Sequence, residues 1–262
     1  MKKSKLARLI AAICCFAMLL TACSSNQTPA ETGGDGSTTA DSEKKVLTYA
    51  IGAETTDLST LYMNNSLYCT SKLVYENLVD FDNGEIVPGL AESWEYNDDQ
   101  TELTFHLRQG VTFHNGEPFN AEAVKTNLEH KQSNPSFYSL KGITDIQEIE
   151  VVDEYTITLH YDHPFYAYLQ DFCWPDVCTM ISPKLITQGD FQTVNGYAGT
   201  GPYIYDEYVA GQYTTFVRNE NYWGEQPYYD KIVAKYIPDN ASRVQALQTC
   251  LLYTSDAADD KA

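Results

Sequence analysis

Apolar side chains recur along this chain at two spacings, and the switch between them marks out its elements. Over residues 101–107, Leu103, Phe105 and Leu107 alternate with Glu102, Thr104 and His106, the period of a strand with one buried face. The polar run Asn97-Asp98-Asp99-Gln100 before it predicts a turn, and Asn115-Gly116 supplies the positive φ of a second. After Asn120, a good helix cap, Ala121, Val124 and Leu128 recur at helical spacing. Further strands are predicted over 46–51, 214–218 and 231–237, with a hairpin over 146–152 and 155–159 around Asp153-Glu154. Helices are predicted over 63–79, with Leu67, Leu73, Val74 and Leu78 inward, over 165–172, and over 240–249 opened by Asn240. Strands and helices mix without regular βαβ alternation, which indicates an α/β lobe and not a barrel.

The front of the chain follows a different logic. Lys2, Lys3, Lys5 and Arg8 form a basic segment, and residues 9–20 are an unbroken apolar run. That run is shorter than the about 20 residues a membrane-spanning helix needs, so it reads as the core of a secretory signal. The small residues before Cys23 resemble a lipobox, which implies cleavage there and a diacylglyceryl group on Cys23. Two acyl chains supply stable anchoring where one does not. Residues 24–45 are rich in Ser, Thr, Gly and acids and nearly free of large apolar side chains. They bury too little to fold, and as a flexible tether of about 22 residues reach roughly 25 Å.

Charge and cysteines narrow the function. The formal charge is -19, and removal of the four leader cations deepens it to -23. Such a surface repels nucleic acid and offers anionic lipids no polybasic patch. Cys173 and Cys178 are spaced for a local disulfide in an oxidising compartment, whereas Cys69 sits in a helical pattern as a small apolar residue. His160 and His163 are close, but Pro164 ends regular structure beside them and no HExxH occurs. His106, His114 and His130 are scattered over strand, turn and helix. No GxSxG, P-loop or GxGxxG is present, and no constellation singles out a pair of carboxylates. No catalytic, metal or cofactor site is therefore expected. A secreted hydrolase remains the alternative from another class, and a repetitive adhesin finds no internal repeat to support it.

Two blocks carry a likeness to a known family. The first is AESWEYNDDQTELTFHLRQGVTFHNGEPFNAEAVKTNLE, residues 91–129. The second runs from Gly199-Thr200-Gly201-Pro202-Tyr203 through Arg218-Asn219-Glu220-Asn221-Tyr222-Trp223-Gly224 to Ile237-Pro238-Asp239. Both resemble the family 5 extracellular solute-binding proteins, receptors of ABC importers for peptides, nickel complexes and related solutes. The resemblance implies a periplasmic-binding-protein-like type II lobe carrying the extra domain of the large peptide-receptor class, with the second lobe missing. Residues 46–80 and 190–249 would form the hinge-bearing domain of lobe one, and residues 81–189 the extra domain.

It also implies function. The expected protein is a monomeric, lipid-anchored receptor on the outer face of the cell membrane that passes a solute, in the first instance an oligopeptide, to a permease and ATPase. A nickel chelate or an oligosaccharide is the alternative cargo. Tyr62, Met63 and Asn64 fall on the family's cleft-lining loop, although Leu58-Ser59-Thr60 replaces the usual Leu-Asp-Pro. Phe137 and Tyr138 fall where the extra domain offers an aromatic, and Trp174 and Asp176 on a loop returning toward the hinge. Trp94, Phe105, Phe113 and Trp223 belong to the structural signature and are expected in the core. The tail CLLYTSDAADD, from Cys250, looks like the translation of a transposon sequencing adapter, so residues 250–262 are set aside as non-native.

Overall fold

The computed structural model describes residues 44–55, 58, 68–174, 178–190 and 195–248. In chain order they form β1 (Val46–Ile51), α1 (Tyr68–Val74), β2 (Val79–Asp82), β3 (Glu85–Pro88), β4 (Ala91–Tyr96) and β5 (Glu102–Leu107). Next come α2 (Ala121–Ser133), α3 (Lys141–Thr144), β6 (Ile146–Asp153), β7 (Thr156–Tyr161) and α4 (Tyr168–Asp171). The last group is β8 (Tyr203–Val209), β9 (Tyr213–Arg218), β10 (Lys231–Tyr236) and α5 (Asn240–Gln248). None of these helices is long and apolar enough to cross a membrane.

The strands make a four-stranded sheet in the order β1-β10-β9-β8, a hairpin β2-β3, and a second four-stranded sheet β4-β5-β7-β6. Among the described strands only β1 and β10 pair in parallel, Val46 opposite Lys231 through Ile51 opposite Tyr236. The alternation of β5 does what its spacing requires: Leu103, Phe105 and Leu107 are buried on one face. With Ile157 and Leu159 of β7 they form the floor of the larger core, which α2 closes with Val124 and Leu128. A smaller core joins Val74, Tyr75 and Ile181 to Tyr203, Phe216, Ile232 and Ala234 of the mixed sheet. Phe105 and Phe113 lie in the larger core, and Trp94 and Trp223 pack against it half-buried.

Local chemistry explains where elements stop. Asn120 is extended (φ -154°) and its side chain accepts from the Ala123 amide at 3.0 Å, so α2 is capped where the sequence indicates. Asn120→Ala should lower stability by about 1 kcal/mol in urea titrations. Helix α1 ends at Val74, five residues short of the apolar pattern. Carbonyls that a longer helix would use are claimed from elsewhere: Val74 O, the last of α1, accepts from Gly201 N at 3.0 Å, and Leu78 O beyond it from Ala91 N at 2.8 Å. The chain turns instead into β2-β3 through Asn83 (φ 49°) and Gly84 (φ 91°). Helix α4 likewise is shorter than the expected 165–172 segment and spans only Tyr168–Asp171. The cap of α5 is Asp239 and not Asn240: its carboxylate accepts from the Ser242 amide at 2.8 Å, while Asn240 engages Arg243.

Candidate functional site

The second of the two sequence blocks closes on one largely enclosed carboxylate, and Arg108 of the first covers one of its partners. Glu76 lies just beyond α1, where the chain passes from the smaller core to the larger. Its Oε2 accepts from Thr200 Oγ1 and Trp223 Nε1, both at 2.8 Å, and its Oε1 from Tyr222 OH at 2.7 Å. Burial nevertheless dominates and holds this carboxyl above its ordinary pKa, against the lowering effect of the hydrogen bonds. The guanidinium of Arg108 covers Trp223 at 4.5 Å and donates from Nε to Gly89 O at 2.7 Å.

A second tie runs through His114. Its amide donates to Gly199 O at 2.8 Å, and Nε2 lies 2.9 Å from Gly201 O, which can only accept, so Nε2 carries the proton. Burial pushes the ring pKa down and keeps it neutral. Asn115 donates to Ser182 Oγ at 2.8 Å beside it. The backbones touch: a Cβ on Gly199 would stand 2.1 Å from Val74 O. These residues seam the two cores together.

The open surface lies elsewhere. After α4 the chain carries Trp174, 55% exposed, whose ring borders a pocket of about 290 Å³ with Phe81, Gln170 and Cys173. Phe81, on β2, is 55% exposed as well. An ion pair between Lys72 and Asp80 flanks the pocket, and Asn77 Nδ2 approaches the same Asp80 oxygen at 3.4 Å. Burial, reinforced by Asp80, pushes the Cys173 thiol up to about 11, so it stays neutral. Cys173 and Cys178 are both free and buried, not bridged. Each thiol instead donates to a carbonyl of α4, Cys173 to Leu169 O at 3.8 Å and Cys178 to Asp171 O at 2.8 Å.

The expected contact residues therefore part company. Trp174 reaches the surface pocket, and Tyr138 is 76% exposed. Phe137 does not: it is wholly buried in the larger core, with Lys131 Nζ 5.4 Å from its ring centre. Packing under α2 takes it out of reach of a surface ligand. Cys23, Cys69's side chain, Tyr62, Met63, Asn64 and Asp176 lie outside the described residues. Phe81 and Gln170 were not foreseen, although Asp82-Asn83-Gly84 is a hairpin signal that turns Phe81 outward. His160 sits between Glu150 (3.0 Å) and Glu102 (3.6 Å) on an outer sheet face. Among the described residues no group of three or more His, Cys, Asp or Glu is arranged to hold a metal ion.

Comparison with known proteins agrees with this architecture. Residues 85–254 match the family described as bacterial extracellular solute-binding proteins, family 5, middle region. The chain is 38% identical to the nickel-binding periplasmic protein of Escherichia coli K12, covering 72% of this chain and 36% of that protein. It is 35% identical to the glutathione-binding protein GsiB of Pectobacterium atrosepticum, covering 76% and 40%. Among solved structures, NikA from Brucella suis in complex with Fe(III)-EDTA superposes with a TM-score of 0.72 at 32% identity, over 78% of this chain and 42% of NikA. DppA from Helicobacter pylori in complex with the peptide STSA gives 0.68 at 28% identity, over 79% and 45%. The chain thus spans about two-fifths of the length of the curated relatives it matches. Its α/β fold is that of a periplasmic-binding-protein lobe, and the chain belongs to family 5 of the bacterial extracellular solute-binding proteins.

Proposed function

We propose that the chain is the solute-contacting first part of a lipid-anchored, extracytoplasmic receptor that delivers a peptide to an ABC importer. The observation that carries this reading is the open aromatic pocket at Trp174, set in a lobe of the solute-binding fold. In this reading residues 46–80 and 190–249 bear the hinge and residues 81–189 form the added domain. A second lobe closes over the solute, and the closed state wins because only there does the solute touch both faces. Tyr138, Trp174 and, from outside the described residues, Tyr62, Met63, Asn64 and Asp176 face the cargo. Large rigid rings suit that role because they offer apolar area with few rotatable bonds. Cys23 carries the lipid, and residues 24–45 let the body stand off the membrane.

Peptide cargo draws support from the DppA likeness and from 28% identity to the dipeptide-binding protein of Escherichia coli. A metal chelate is the second reading, favoured by the higher identity, 38%, to the nickel-binding periplasmic protein. Thermal unfolding of the full-length parent separates them. Di- and tripeptides should raise its Tm, and saturation at a hundred times Kd corresponds to about 2.7 kcal/mol. A Tm raised by nickel–histidine and by no peptide would transfer the assignment to chelates. Silence toward every solute class would remove the receptor reading itself.

A further inference from the structure

We infer that the pocket between Phe81 and Trp174 receives an uncharged planar group of the solute, an aromatic or heteroaromatic ring, with the Gln170 amide at its edge. The inference rests on the receptor reading above and adds a substrate class to it.

The first ground is exposure. Phe105, Phe113, Phe119, Phe137, Phe172 and Phe216 are all buried, whereas Phe81 and Trp174 are each 55% exposed and border one cavity. Rings left in water beside a concave space gain by burial against another flat apolar surface. The second ground is size. About 290 Å³ stands at the lower end of small-molecule pockets, roughly 300–1,000 Å³, so it suits one side group of a larger solute.

The third ground is charge. None of Phe81, Gln170, Cys173 and Trp174 is ionised, and the Cys173 thiol is held neutral up to about 11. Of the charges that act on Cys173, Lys72 and Asp80 satisfy one another, and Asp171 is engaged by the Gly142 amide at 2.7 Å. A cationic or anionic group would have to compete with these contacts to gain a partner. The remaining polar function, the Gln170 amide, both donates and accepts and so matches a ring heteroatom of either kind. The Cys173 sulfur adds a polarisable wall that favours aromatic edges.

Indole is the probe, titrated into the full chain while the side-chain N–H signals of Trp94, Trp174 and Trp223 are followed by NMR, with Trp174 assigned through Trp174→Phe. A saturable shift confined to Trp174 is expected. Phe81→Ala should weaken binding by about tenfold, the loss of one stacked ring, with unfolding temperature retained because Phe81 is exposed. Tryptamine and indole acetate should bind no more tightly than indole. No shift at millimolar indole, an unchanged affinity in Phe81→Ala, or clear preference for a charged analogue would each overturn the inference.

A second arm uses the full-length parent and compares a tripeptide bearing a central Phe with its Ala counterpart. Tighter binding of the Phe peptide, lost in Phe81→Ala, is the supporting result. Equal binding of the two would leave the receptor standing and remove the ring subsite. Indole binding at Trp174 with no stabilisation by any solute would remove the receptor and leave a ring site.

Discussion

Replacing Glu76 by alanine should destabilise the fold by about 3 kcal/mol or more, seen as a lower urea midpoint with an unchanged slope. The size follows from what stays behind. Thr200, Tyr222 and Trp223 all donate to this one carboxylate, and Thr200 is wholly buried. Each donor left without a partner forfeits about 1–3 kcal/mol unless water reaches it, and only the two half-buried aromatics can be rehydrated. Glu76→Gln should cost less, since its amide oxygen keeps some of the bonds while its NH2 opposes the others. Acidity gives an independent reading. Burial holds the folded carboxyl above its ordinary value of 4.5, so the folded state binds the proton more tightly than the unfolded one. The stability this group contributes is full below about 4.5 and declines as pH rises through the folded pKa. The advantage of the parent sequence over Glu76→Gln should therefore be greater in acid than near neutrality. A flat difference between the two would contradict the account.

Gly199→Ala should be at least as damaging, about 3 kcal/mol or more, at the upper end of overpacking costs. The added methyl would sit 2.1 Å from Val74 O and 2.5 Å from the ring of Tyr75. The nearest obstacle is backbone at the end of α1, which cannot swing aside as a side chain can. Relief requires separating the irregular segment Gly199–Gly201 from α1, which breaks the Gly201 N to Val74 O bond and lengthens the Thr200 bond to Glu76. Gly201→Ala meets Leu73 O at 2.7 Å and should fall between Gly199→Ala and the parent. Urea titrations of the three chains give the order, and parental stability in Gly199→Ala would show that the seam is looser than described.

Local signals in the sequence were legible where one residue type does one job. The alternation of β5, the Asn120 cap and the turn at Gly116 (φ 82°) are each determined within a few residues. Strand β4 escaped notice because Ala91 alone is fully buried on it and a register shift between Ala91 and Ser93 breaks the period. Helix α1 was over-extended because the apolar spacing runs on to Leu78, while the carbonyls that stop it are taken by Gly201 and by Gly89 and Ala91. Asp239 and Asn240 are adjacent capping residues, and only the direction of the Asp239 side chain decides between them. The site divides in the same way. Exposed Trp174 could be named from its loop, but neither the burial of Phe137 nor the role of Glu76 is local. The partners of Glu76 lie 124, 146 and 147 residues away, beyond the reach of any periodicity.

The parallel pairing of β1 with β10 sets an order of assembly. Lys45 N meets Asp230 Oδ2 at 2.7 Å across 185 residues, so among the described strands β1 has no lateral neighbour until β10 is made. Closing so long a loop is entropically slow, and it comes after the nearby hairpins have formed. A chain cut short before β10 would therefore leave the backbone groups of β1 without their sheet partner.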